Sequence, residues 1–265
     1  MSRRKYSAFL PIVLFVFFAQ DSIAAQPMLE WEESPQFETE VNGKPDIGIR
    51  SFQPSSSKPY LLLVRDKGRT GVLLDLAGKK VKEIPASDLK TNGQFGVSTK
   101  GIPVGKDVAS YKVNAGASVF TFEGKQYAVR MRETLIGEVS LGMLLAHSPL
   151  YSALRDAYTP KKASVAAIAK HKQATEIVVM FATWCSTCKI VVPRFLKVMQ
   201  LAKNPSIKVR YIGIAMGGGE PRAELEKFGH DYPAFIVFQG GKEKGRLVGE
   251  PPSRVEEYLL TLLKK

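Results

Sequence analysis

Residues 177–182, Ile-Val-Val-Met-Phe-Ala, are a continuous apolar run, and Cys185-Ser186-Thr187-Cys188 follows three residues later. An apolar run of this length, bounded by polar segments, reads as a strand buried on both faces. The next residues change period. Val192, Phe195, Met199 and Ala202 recur at three- and four-residue steps, and Lys189, Arg194, Lys197, Gln200 and Lys203 fall between them. That pattern predicts an amphipathic helix over residues 185–203 with the basic residues outside. The two cysteines are therefore expected where a buried strand ends and a helix begins.

The chain has two cysteines, and both lie in this pair. A disulfide closing so short a loop constrains the unfolded chain little, so a structural staple is a poor explanation. Structural zinc takes about four ligands, often from two such pairs. No second pair occurs, and His147, His171 and His230 are scattered. Thiol chemistry remains. At a helix N-terminus the N–H groups and dipole favour an anion, and a thiolate there is the attacking species in exchange with a disulfide. Cys185, nearer the helix start, is the expected nucleophile, and Cys188, one turn later, the expected resolving thiol. Ser186 and Thr187 hydroxyls either tune the Cys185 thiolate or cap the helix start.

The N-terminus has the form of an export leader. Arg3, Arg4 and Lys5 precede an apolar run over residues 9–19, and Ser22-Ile23-Ala24 offers small residues at a cleavage site near Ala24 or Ala25. The apolar run is short for a membrane span, although a retained anchor is the competing reading. The expected protein is secreted or periplasmic, with no stable membrane insertion.

Five segments are expected: a signal peptide over 1–25, an extended polar arm over 26–58, a small β-rich domain over 59–135, a helical connector over 136–160, and an α/β domain over 161–265. The arm is inferred from polar composition and from Pro54-Ser55-Ser56-Ser57-Lys58-Pro59. In the β-rich domain, residues 60–65 and 71–76 flank the turn Asp66-Lys67-Gly68, and residues 118–122 and 125–131 flank Glu123-Gly124 as a hairpin. In the connector the helical pattern breaks at Pro149, and Tyr151 and Tyr158 are expected to pack between domains. Further on, residues 164–171 read as a short helix, 208–215 as a strand, and 221–228 as a helix. Residues 234–239 and 244–248 read as a hairpin through Gly240-Gly241, and 252–263 as a final helix.

The formal net charge is +13. A positive field of this size favours encounters with acidic partners or anionic surfaces, though a solvated basic surface serves as well. No long basic run interleaved with aromatics occurs, so no nucleic-acid partner is expected. Gly217-Gly218-Gly219 lacks the Gly-Lys-Ser/Thr of a phosphate loop.

The stretch from Met180 to Lys189, Met-Phe-Ala-Thr-Trp-Cys-Ser-Thr-Cys-Lys, resembles the active-site segment of the thioredoxin family. Pro193 matches the family's helix-kinking proline, Tyr232-Pro233 its cis-proline site, and Gly240-Gly241 with Gly249 its closing hairpin. The resemblance covers residues 160–265; residues 26–135 resemble no recognised family. It implies an α/β chain with a C-terminal thioredoxin fold, a central mixed sheet flanked by helices, preceded by the small β-rich domain. It implies that Pro233 is cis and faces Cys185, that Tyr232 offers backbone groups to a substrate strand, and that Trp184 forms an apolar lip. It further implies an enzyme with no cofactor beyond a redox-active Cys185–Cys188 disulfide. Its expected partners are protein disulfides or dithiols and an upstream thiol redox protein.

Two departures stand out. The buried acid that many thioredoxins carry six residues before the first cysteine is Val179 here, and the inner pair is Ser-Thr. Three functions are compatible with these residues. The first is an exported oxidoreductase, more a reductant than an oxidant because the inner pair lacks His. The second is a copper-binding or delivery protein using two thiolates, with Met216 or His230 as a third ligand. The third is a binding module tethered through its thiols.

Overall fold

The computed structural model describes residues 28–56, 58–65, 70–92, 96–217, 219–250 and 254–264. The expected leader over 1–25, the turn Asp66-Lys67-Gly68, Gly218 and Pro252 lie outside these residues, wholly or in part.

The N-terminal half is built of β1 (Met28–Glu33), β2 (Phe37–Val41), β3 (Lys44–Pro45), β4 (Ile49–Pro54), β5 (Tyr60–Arg65), β6 (Thr70–Asp75), β7 (Lys80–Pro85), β8 (Lys90–Asn92), β9 (Gly96–Lys100), β10 (Lys106–Ser110), β11 (Lys112–Asn114), β12 (Ala117–Phe122) and β13 (Lys125–Met131). Among the described residues these form two antiparallel sheets. One runs β10-β7-β6-β5-β4-β1-β9-β8 and the other β11-β12-β13-β2-β3. On β5, Leu61 and Leu63 face the second sheet's Phe120, Phe122, Tyr127 and Val129. Leu62 faces the opposite way, into a cluster with Trp31, Phe52, Leu73 and Val97. Both faces are buried, so the β5 sequence shows no alternation. At the β12–β13 hairpin, Glu123 (φ 49°) and Gly124 (φ 70°) both adopt the left-handed conformations that a two-residue turn requires.

The described part of the expected arm over 26–58 is not an arm. It supplies β1 to β4, two of which complete the first sheet and two the second. Trp31 and Phe52 are each 1% exposed. The polar composition misled because several of these polar groups are buried and paired inside the fold. The Trp31 indole donates to Thr99 Oγ1 at 2.8 Å, and Arg50 pairs with Glu33 at 2.9 Å.

The C-terminal half contains β14 (Gly137–Val139), β15 (Thr175–Phe181), β16 (Ile207–Gly213), β17 (Ala234–Gln239) and β18 (Lys242–Val248), ordered β14-β16-β15-β17-β18. β15 and β16 are parallel, and the other pairs are antiparallel. The helices are α1 (Leu141–His147), α2 (Pro149–Ala157), α3 (Lys162–Ala169), α4 (Ser186–Ala202), α5 (Arg222–Phe228) and α6 (Val255–Leu263). Residues 136–160 are therefore more than a connector. β14 extends the sheet at its edge, and α2 packs beside α4. Gly213 permits this edge, because a Cβ there would collide with the Leu135 carbonyl.

On β15, Ile177, Val179 and Phe181 face α3, α4 and α6, while Val178 and Met180 face α5. All are fully buried, each stabilising the fold by roughly 1.5–3 kcal/mol. β15 is thus the central strand that its apolar run predicts, and it delivers the chain to Cys185 at the sheet's end. Among the described residues no helix is long and apolar enough to cross a membrane.

Candidate active site

The first turn of α4 is capped by Cys185. Its backbone is extended (φ −96°, ψ 122°), and its Sγ accepts from the Cys188 N–H at 3.0 Å. A thiolate in this position satisfies one of the donors that every helix start leaves unpaired. Cys188 lies beneath it, 0% exposed, with the Ala182 N–H 3.5 Å from its Sγ. Both cysteines are free thiols.

The two sulfurs are driven apart in acidity. The Cys188 thiol and then the Cys188 and Thr187 N–H groups hold Cys185 below the ordinary thiol range, against burial and the negative charge of Glu33. Burial pushes Cys188 well above that range, and the neighbouring Cys185 adds to the effect. One sulfur is thus partly buried and acidic, and the other is enclosed and protonated. The donors that reach Cys185 from the first turn are the Cys188 thiol and the backbone N–H groups of Cys188 and Thr187. Among the described residues, no hydrogen bond runs from the Ser186 or Thr187 hydroxyl to Cys185.

The rim brings together three more of the expected residues. Trp184 meets Tyr232 edge to face at 5.1 Å, and its indole N–H donates to the Ile214 carbonyl at 3.2 Å. The Tyr232–Pro233 peptide is cis, and the Pro233 carbonyl accepts from the Gly249 N–H at 2.8 Å. Both Trp184 and Tyr232 pack with Cys185 at the edge of the core. Both thiols, after burial, raise the Tyr232 phenol's pKa. Met216 is 62% exposed. Among the described residues no group of three or more His, Cys, Asp or Glu side chains is gathered to hold a metal.

The N-terminal sheets reach the site, which the sequence did not foretell. Lys189 follows Cys188 on a helix whose basic residues were expected to point outward. Instead its Nζ donates to the Pro35 carbonyl, between β1 and β2. Burial lowers its pKa to about 8, with Glu38 and Glu33 opposing and Arg132 assisting. Glu38 on β2 pairs with Arg132 at 3.2 Å and accepts from the Ser148 hydroxyl. Ser148 in turn caps α2, accepting from the Tyr151 N–H at 3.2 Å. Tyr151 is not an exposed interdomain aromatic: it is 1% exposed, in the same core cluster as Cys188. Tyr158 does lie at the boundary, lining a cleft of about 300 Å³ with Phe37, Ile49, Leu154, Ser186 and Lys189. A lysine directly after a Cys-X-X-Cys pair carries no sequence signal of burial, because what buries it is more than 150 residues away.

A dithiol at the junction of a buried central strand and its following helix, under an aromatic rim, defines this half as a thioredoxin-type α/β domain. The comparisons agree: residues 159–261 match the thioredoxin family and form a thioredoxin domain. Thioredoxin H2-1 of Oryza sativa subsp. japonica is 30% identical over 95 residues, which are 35% of this chain and 64% of the rice protein. The chain thus spans less than two thirds of that relative's length. Two solved structures, a Pseudomonas aeruginosa protein of unknown function and an HIV epitope scaffold, are each 17% identical. They cover 49% and 48% of this chain and 83% of their own, with TM-scores of 0.36 and 0.35.

Proposed function

We propose that the chain is an exported thiol–disulfide oxidoreductase that acts on protein disulfides, chiefly as a reductant. The observation that carries this reading is the asymmetry of the pair. Cys185 Sγ sits at the helix cap, partly buried and acidified by the Cys188 thiol and then by backbone N–H groups, above a buried, protonated Cys188. In the proposed reaction the Cys185 thiolate attacks a substrate disulfide. One substrate sulfur leaves as a thiol after taking up a proton, and the other is held as a mixed disulfide. Cys188 then attacks Cys185 Sγ, releasing the second substrate thiol and leaving a Cys185–Cys188 disulfide. An upstream dithiol protein restores the pair. Trp184, Tyr232 and Pro233 would receive the substrate strand beside Cys185. Export is supported by the basic and apolar leader and its small-residue cleavage site.

Reduction of insulin disulfides by the protein beginning at Ala25 or Gln26, with dithiothreitol as electron source, tests the activity. The reading requires turnover well above the dithiothreitol background and its loss in Cys185→Ser. Background-level reduction by the intact pair would contradict it.

A further inference from the structure

Thiol–disulfide exchange demands that Cys188 lose its proton in a place that disfavours the thiolate. The usual acid for this is replaced by Val179, which is fully buried and cannot assist. Among the described residues, one buried polar group in the same core cluster has no hydrogen-bond partner: the Tyr151 hydroxyl. Its ring is 1% exposed. Burial raises its pKa well above the ordinary phenol value, and Cys188, Cys185 and Glu38, where ionised, raise it further, in that order. The phenol therefore stays protonated, a donor and not a base, and α2 packs it against α4 in the core cluster that holds Cys188.

A buried donor with no acceptor is costly, and it gains most when an anion forms beside it. We propose that the Tyr151 hydroxyl donates to the Cys188 sulfur as it becomes a thiolate, and that the N-terminal β-domain positions Tyr151 for this through Glu38 and Ser148. The positioning chain is continuous. The Glu38 carboxylate accepts from the Ser148 hydroxyl, and that hydroxyl accepts from the Tyr151 N–H at 3.2 Å. The titratable groups around the phenol are the two thiols from α4 and Glu38 from β2. Arg132 pairs with Glu38, and Lys189 stands in the field of Glu38, Glu33 and Arg132.

The step balances without a further reactant. Cys188 gives up its proton, and its electron pair forms the bond to Cys185. The Cys185–substrate disulfide bond breaks, and the departing sulfur takes that electron pair and gains one proton. The inference rests on the proposed role of Cys188 as resolving thiol.

Reaction of the reduced protein with 5,5′-dithiobis(2-nitrobenzoate) tests it, because the two sulfurs release thionitrobenzoate in sequence. Cys185 attacks first, and Cys188 then displaces the second molecule. Tyr151→Phe keeps the ring and should melt no lower than the wild type, since it removes an unpartnered hydroxyl. Its first phase should be unchanged. Its second phase should slow about tenfold at pH 7, with the midpoint moved about one unit higher and the rates converging at high pH. Ser148→Ala should move the second phase the same way by less. An unchanged second phase in Tyr151→Phe, or a slowing equal at every pH, would overturn the proposal. A wild type that shows no second phase would instead overturn the resolving role of Cys188, and the proposal with it.

Discussion

Lys189, the residue after Cys188, donates its ammonium proton to the carbonyl of Pro35 in the N-terminal domain. The active-site helix and the β-domain are therefore joined at the helix's first turn, one residue from the buried thiol. A cation held there makes stability depend on pH.

Because burial lowers the Lys189 pKa from 10.5 to about 8, the folded state holds its proton less tightly than the unfolded state. The unfolded chain binds more protons between those values, so stability rises with pH across that window, and the cost is fully present below it. Lys189→Met should remove this component. Denaturant titrations at pH 7 and pH 10 should show a rise in the wild type that exceeds the variant's by roughly 2 kcal/mol. Parallel curves for the two proteins would mean that Lys189 is solvated.

Glu33 opposes the Cys185 thiolate through its negative charge. Alkylation by iodoacetamide, followed by mass spectrometry, reports the Cys185 midpoint, since Cys188 is enclosed. The wild-type midpoint should lie below the ordinary thiol value of about 8.5. Glu33→Gln should lower it further, because removing a negative neighbour favours the charged form. An upward move would contradict the placement of β1 beside the site.

Much of the C-terminal domain was legible locally. The apolar run of β15, the helical period of α4 and the Gly240-Gly241 turn are written in adjacent residues, and the structure has all three elements. What could not be read depends on partners far along the chain. Residues 28–54 look like an arm until Trp31 and Phe52 are seen in a core with Leu62 and Leu73. Tyr151 reads as an aromatic packed between domains until α2 is laid against α4 and takes it into the core. Lys189 reads as solvent-facing until Pro35 covers it. Composition reports how polar a segment is, not whether its polar groups are paired within the fold.

The interior of the C-terminal domain carries one further charge. Glu256 is 0% exposed and accepts from the Lys161 N–H, the Tyr158 hydroxyl and Arg254 Nε, each at 2.8 Å. Burial disfavours its charge, but the Lys161 N–H and the other donors prevail, and its pKa lies below the ordinary value of 4.5. A depressed carboxylate stabilises the fold above its unfolded pKa, and this contribution fades as pH falls through the folded one. Glu256→Ala should cost about 3 kcal/mol at pH 7, and the difference from wild type should shrink towards pH 3. Thermal melts at both pH values measure this, and a pH-independent difference would assign the loss to packing alone.

The central claim is that Cys185 attacks and Cys188 resolves. The most direct measurement is the trapping of mixed disulfides in the native envelope, read by non-reducing electrophoresis and mass spectrometry. With Cys188→Ser, Cys185 can attack and nothing releases the substrate, so protein adducts linked through Cys185 should accumulate. With Cys185→Ser, the remaining thiol is buried and protonated, and few adducts should form. Equal trapping by the two variants, or trapping by Cys185→Ser alone, would contradict the account.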